Sequence, residues 1–229
     1  MNLHIEFGEH WHASLFGMTV NMDTVLIAWL AMIIVLIISG IVSIGLKRTP
    51  GKFQSFAEMV YGALESIPVS QIGAEGKNYT PVIGSLFLFI LTCNLIGQLP
   101  WKLFHLPEGE FASPTNDINL TAALAILAIL YYIFSGIKKK GVLGYLKEFI
   151  PPMGLLEILD LVTRPLSLSL RLFANILAGE IIIMVMIGLL AAILPVPMML
   201  FEVFVAFIQA FIFAILTASY VAGAIKEEH

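Results

Sequence analysis

The sequence predicts an all-α integral membrane protein with five crossings, one further amphipathic helix lying in the interface, and a strongly tilted antiparallel hairpin made of its last two long helices. Three observations predict it. Apolar residues fill 59% of the 229 positions and charged residues only 12%, with a mean hydropathy of +0.95. Soluble domains are about a quarter charged, so this pool cannot build a water-facing surface. The apolar residues fall in runs of bilayer-spanning length, and Lys and Arg gather after alternate runs.

In chain order, residues 1–21 mix His, Glu and Trp, with no basic-then-apolar leader, and are expected as an extracytoplasmic N-terminal segment. The first span is expected over 22–46, closed by Lys47 and Arg48. Pro50-Gly51 then introduces 52–67. There Phe53, Phe56, Met59, Val60, Ala63, Leu64 and Ile67 recur at helical spacing opposite Lys52, Gln54, Ser55, Glu58 and Glu65. That pattern predicts an interfacial helix rather than a soluble connector. The second and third spans are expected over 81–99 and 118–137, the latter ending at Lys138-Lys139-Lys140. After Pro151-Pro152 come two long apolar segments, 153–194 and 198–225, parted by Pro195-Val196-Pro197.

The basic clusters after the first and third spans place those ends in the cytoplasm, the N-terminus outside and the C-terminus inside. The fourth segment, about forty residues, would reach roughly 60 Å as one helix, against a hydrocarbon core of about 30 Å. It must therefore tilt, bend or begin along the interface, and Pro165 marks a candidate bend.

Composition also excludes several classes. There is no basic block or stacking platform for nucleic acid. Cys93, the only cysteine, sits in an apolar run, so no internal disulfide forms. His4, His10, His12 and His105 lack metal-ligand spacing, and neither a metal site nor a cofactor is expected.

Against this background, charge between 153 and 225 is conspicuous: Glu157, Asp160, Arg164, Arg171, Glu180 and Glu202. A charge at the bilayer centre costs about 2.5 to more than 10 kcal/mol, and persists where it meets water, a partner charge or a functional path. At 100° per residue, Arg164 and Ala178 each fall within about 20° of Arg171, flanked by Ser167 and Asn175. Glu180 points to nearly the opposite side, roughly 13 Å further along the axis. Snorkelling needs a helix end within reach, and Arg171 has none on an upright helix. Glu202 and Gln209 share one face of the last helix. A hairpin turning at Pro195–Pro197 brings Glu202 toward the level of Glu180, so the two carboxylates and Gln209 can line one wet cleft suited to proton relay.

At this point a resemblance enters. The run Arg164-Pro-Leu-Ser-Leu-Ser-Leu-Arg-Leu-Phe-Ala-Asn-Ile-Leu-Ala-Gly-Glu180 resembles the signature of subunit a of F-type ATP synthases, the stator ion channel of the membrane sector. Pro114-Thr-Asn-Asp-Ile-Asn119 is similar to the cyanobacterial and chloroplast members, and Gln209-Ala-Phe-Ile-Phe-Ala-Ile-Leu-Thr fits as well. The similarity runs from the first span to the C-terminus.

The resemblance implies a non-catalytic subunit whose two tilted helices face a rotating ring of c subunits, with subunit b of the peripheral stalk and the whole ATP synthase complex as partners. It implies that Arg171 is the essential arginine, which attracts an ionised ring carboxylate and separates two offset aqueous half-channels. Glu180, Glu202, Asn116, Asn119 and Gln209 would belong to the outer half-channel, and Glu157, Ser167 and Tyr220 to the inner one. Asn175 would support the arginine, and Asp117 and Asp160 are further candidates. The implied location is the cell inner membrane, with the thylakoid as the alternative. One departure is that some relatives carry histidine where this chain has Glu202, which leaves Na⁺ open beside H⁺.

A stand-alone secondary transporter is the main alternative, although no inverted repeat is visible and an odd number of crossings does not suit one. An intramembrane enzyme lacks its motifs: there is no His-Glu-x-x-His and no Gly-x-Ser-x-Gly.

Overall fold

The computed structural model describes residues 12–15, 18–44, 46–47, 50–98, 113–147, 154–190 and 195–225. A short antiparallel hairpin, β1 (His12–Leu15) and β2 (Met18–Asn21), leads directly into the first helix, with His12 opposite Asn21 and Leu15 opposite Met18. Nothing in the composition of 1–21 announced it. Six helices follow. Five of them, among the described residues, are long and apolar enough to cross a membrane.

Helix α1 (Met22–Ile44) starts with Asp23 in its first turn, where a carboxylate suits the positive end of the helix dipole. It is apolar all round. Only Asp23, Thr24, Ile27, Ala28 and Ala31 are buried among its described residues, and Ile27 and Ala31 meet Cys93 and Ile96. Leu26, Trp29, Leu30, Ile33, Leu36 and Ile37 stay exposed, as lipid-facing positions do.

Helix α2 (Lys52–Ile72) runs five residues beyond the expected 52–67, through Pro68. Pro68 is buried beside Leu64 and Ile67, and the Ser66 and Ser70 hydroxyls donate to the Ala63 and Ile67 carbonyls on either side of it. The N-terminal half of α2 leaves Phe53, Phe56 and Met59 exposed. A 3₁₀ turn, Ala74–Tyr79, then leads into α3 (Thr80–Gly97), with Pro81 in its first turn where no backbone donor is needed.

Helix α3 packs on α1, α2 and α6. A second 3₁₀ turn, Pro114–Asn116, precedes α4 (Ile118–Lys147). Asp117 caps α4, its Oδ1 accepting from the Asn119 backbone N–H at 2.8 Å. Past Lys138–Lys140 the helix kinks at Gly141, whose φ of 76° only glycine adopts freely. The kink returns Tyr145 onto the edge of Tyr132, ring centroids 6.5 Å apart. Lys139 meanwhile grips both oxygens of Glu75 at 2.8 and 2.9 Å, tying the first 3₁₀ turn to α4.

Helix α5 (Gly154–Leu190) passes through Pro165 without interruption. Helix α6 (Pro195–Ile225) begins three residues before the expected 198: Pro195 and Pro197 form its first turn instead of a separate break, because first-turn residues need no N–H partner. Residues 191–194 lie outside the described set. The helices run antiparallel, since Gly179 meets Glu202 at one end and Arg164 meets Tyr220 at the other.

Ala206, Ala210, Ala214, Ala218 and Ala222 form a buried seam along α6, one per turn. Small residues at four-residue spacing let helix backbones approach closely, which supplies the packing that drives association in lipid. The main core joins this seam and Phe213 to Ile83, Phe87 and Ile90 of α3, Ala125 and Ala128 of α4, and Leu168 and Leu172 of α5.

Candidate functional site

Arg171 lies on the exposed side of α5, while Leu168 and Leu172 beside it are buried at 2% and 0% exposure. Its neighbours on the open side are Ala174 and Ala178, both exposed. The guanidinium Nη2 reaches the Ser167 hydroxyl at 3.4 Å, one turn back. No described carboxylate forms a salt bridge with it. A permanently charged group on an apolar helix face demands an anion, and the described part of this chain supplies none.

The second arginine of the same stripe is in a different state. Arg164 Nη2 pairs with Asp160 Oδ2 at 2.5 Å. Its guanidinium also stands over the Tyr132 ring at 5.2 Å and the Tyr220 ring at 5.0 Å, within cation–π range of both. Tyr220 is thus brought to Arg164, and Asp160 is committed to an ion pair. The side chain of Glu157, on the first turns of α5, lies outside the described residues.

Glu180 is held from outside its own helix. The Ser113 backbone N–H donates to Oε1 at 3.2 Å and the Asn116 side-chain amide donates to Oε2 at 2.5 Å. The donors are the N-cap residue and the last residue of the second 3₁₀ turn, which docks on α3 and α5. Glu202 of α6 is 6% exposed and rests on Gly179, where a Cβ would overlap the carboxylate. Neither of its oxygens has a hydrogen-bond partner of ordinary geometry among the described residues, although the Gln98 side chain approaches. Gln209 is buried two turns further along the same face of α6. Asn175 is half-buried on α5, one turn beyond Arg171.

Two asparagines expected together are separated. Asn116 reaches Glu180, but Asn119 does not: its side-chain amide donates to Asp117 Oδ1 at 2.9 Å, and Asp117 Oδ2 accepts from Asn21 at 2.8 Å. The physical reason is the helix cap. Asp117 ends the 3₁₀ turn and starts α4, so the residues on either side of it leave in different directions. Asn119 and Asp117 instead border an apolar cleft of about 780 Å³ walled by α1, α3 and α4.

Several residues of the site were not singled out from the sequence: the polar Asn94, Ser113 and Thr115, and Gly179. Asn94 was legible in principle, as an amide inside the apolar run of α3, and it is 0% exposed. Among the described residues no cluster of three or more His, Cys, Asp or Glu side chains is assembled.

Residues 25–222 match the family model described as ATP synthase A chain. The chain is 42% identical over 226 residues to an ATP synthase subunit a from Gloeobacter violaceus, an alignment covering 97% of this chain and 92% of that protein.

Proposed function

Because the chain belongs to the ATP synthase A chain family, we propose a division of labour among its residues on that premise. The chain is a proton-translocating, multi-pass stator component of the membrane sector, non-catalytic by itself, and a member of the ATP synthase complex. Arg171 meets an ionised carboxylate on a rotating c-subunit ring that passes the open faces of α5 and α6. Attraction across a low-dielectric gap is many times stronger than in water, so one fixed cation can strip the ring carboxylate of its proton and block leakage past it.

Glu180, Glu202, Asn116 and Gln209 carry protons between the outer solution and the ring, and Asn119 stands with Asp117 at the rim of α4. Glu157, Ser167 and Tyr220 serve the inner half-channel, with Asn175 supporting the arginine. The large exposed side chains of α6, including Leu200, Phe204, Phe207 and Phe211, suit a ring of apolar helices. Subunit b of the peripheral stalk binds elsewhere on the bundle. The N-terminus lies outside and the C-terminus in the cytoplasm of a cell inner membrane, with the thylakoid equivalent in a photosynthetic host. The amphipathic α2 rests in the interface.

The observation that carries this reading is the exposed Arg171 with no described anion of its own, on one side of a helix whose other side presents Glu180. In inverted vesicles containing the whole complex, Arg171→Ala is expected to abolish ATP-driven proton pumping while the complex still assembles. Pumping at near-normal rates would refute the role given to Arg171.

A further inference from the structure

Glu180 is held by a turn, and the turn is itself held from the middle of the membrane. Asn94, fully buried in α3, accepts on Oδ1 from the Thr115 hydroxyl at 2.7 Å. Its amide nitrogen donates to the Ala206 carbonyl of α6 at 3.4 Å, which orients the group. Thr115 Oγ1 and Ser113 Oγ are 2.7 Å apart, and Ser113 Oγ also lies 3.3 Å from the Cys93 carbonyl. A hydroxyl has one proton to give. Thr115 gives its proton to Asn94, so the single Ser113 proton goes to Thr115 at 2.7 Å rather than to the Cys93 carbonyl at 3.3 Å. The donor order therefore runs from Ser113 to Thr115 to Asn94 to the Ala206 carbonyl. This leaves the Ser113 N–H and the Asn116 amide for the two oxygens of Glu180.

A close approach makes the arrangement possible. At Gly97, the last residue of α3, a Cβ would overlap the Ser113 side chain and come within 2.8 Å of its Cα. The turn thus sits on bare backbone at the end of α3, with Ser113 and Thr115 buried at 3% and 0% exposure. Ala206 lies one helical turn from Glu202, and Glu202 rests on Gly179, next to Glu180. The polar chain thereby closes a circuit through α6, α3, the turn and α5, linking the surroundings of the two carboxylates.

We propose that Asn94 and Thr115 are positioning residues for Glu180: by locking the Ser113–Asn116 turn to α3 and α6, they present its two N–H donors to the carboxylate. A loose turn would leave Glu180 to water and side-chain rotamers, since a buried polar network acts as a unit. The inference rests on the role proposed for Glu180 and assigns the residues that aim it.

The test is a double-mutant cycle in the intact complex, in inverted vesicles, with ATP-driven pumping normalised to the amount of assembled complex. Thr115→Val keeps the shape and loses the hydroxyl. It is expected to slow pumping about fivefold, the effect of one buried hydrogen bond, and Thr115→Ser to recover at least half of the loss. In a Glu180→Gln background Thr115→Val is expected to have no further effect, because the carboxylate that the turn aims is gone. If Thr115→Val does not assemble, Ser113→Ala removes the hydroxyl link but keeps the N–H, and is measured in the same two backgrounds with the same expectation. Equal slowing in both backgrounds overturns the inference, as does a wild-type rate for Thr115→Val while Glu180→Gln is impaired. Full pumping by Glu180→Gln removes the role given to Glu180, and the inference falls with it.

Discussion

Glu202 of α6 lies directly against Gly179 of α5, and any side chain at 179 would occupy the volume of its carboxylate. A buried acid without a described hydrogen-bond partner is thereby seated beside the residue that precedes Glu180. Two helices approach this closely in a membrane only where one of them offers a small residue. The contact is therefore both a packing device and the join between the two acids.

Gly179→Ala is expected to separate α5 from α6 at this level, at an overpacking cost of about 1–3 kcal/mol. Thermal denaturation of the solubilised complex should show a lower Tm, and pumping should fall severalfold. A wild-type Tm together with a wild-type rate would contradict the closeness of the two helices.

Glu202→Gln preserves the shape of the side chain and removes its titration. The pH dependence of ATP-driven pumping, recorded across the range in which wild type varies, should flatten on one limb. An unchanged profile would demote Glu202 to a packing residue.

The two arginines of α5 should respond oppositely to exchange for lysine. Arg164→Lys loses the planar stacking on Tyr132 and Tyr220, each contact worth about 0.5–2 kcal/mol. Its ion pair adds little, because the Asp160 side chain is 45% exposed. A lower Tm with pumping largely retained is expected, whereas Arg171→Lys should lose most of its pumping. If Arg164→Lys stopped pumping without loss of stability, Arg164 would have a direct part in ion transfer.

Ala214→Leu places three extra heavy atoms in the seam between α6 and the core, where Ala214 is 0% exposed. The yield of assembled complex should drop sharply, with a cost of about 1–3 kcal/mol or more. Gly223→Ala is the control: nothing lies within 4 Å of the added methyl. Gly223→Ala should assemble normally, and a loss as large as that of Ala214→Leu would mean the seam is not what excludes bulk.

By itself the sequence determined what depends on the solvent and on spacing along one helix. Run length and polarity decided five spans, because lipid requires each crossing to satisfy its backbone internally over about twenty apolar residues. Helical periodicity put Arg171 on the opposite side of α5 from Glu180, because both are read within a single helix. Tertiary structure alone decided which charges are answered. Arg164 and Arg171 share a stripe, yet only Arg164 meets two rings, carried there by α4 and α6. Asn116 and Asn119 are three residues apart, yet only Asn116 reaches Glu180, because a helix cap lies between them. Gly179 and Asn94 acquire meaning only through Glu202 and Thr115, from distant parts of the chain. A contact between elements depends on how the helices pack against one another, and spacing along one helix carries no record of that.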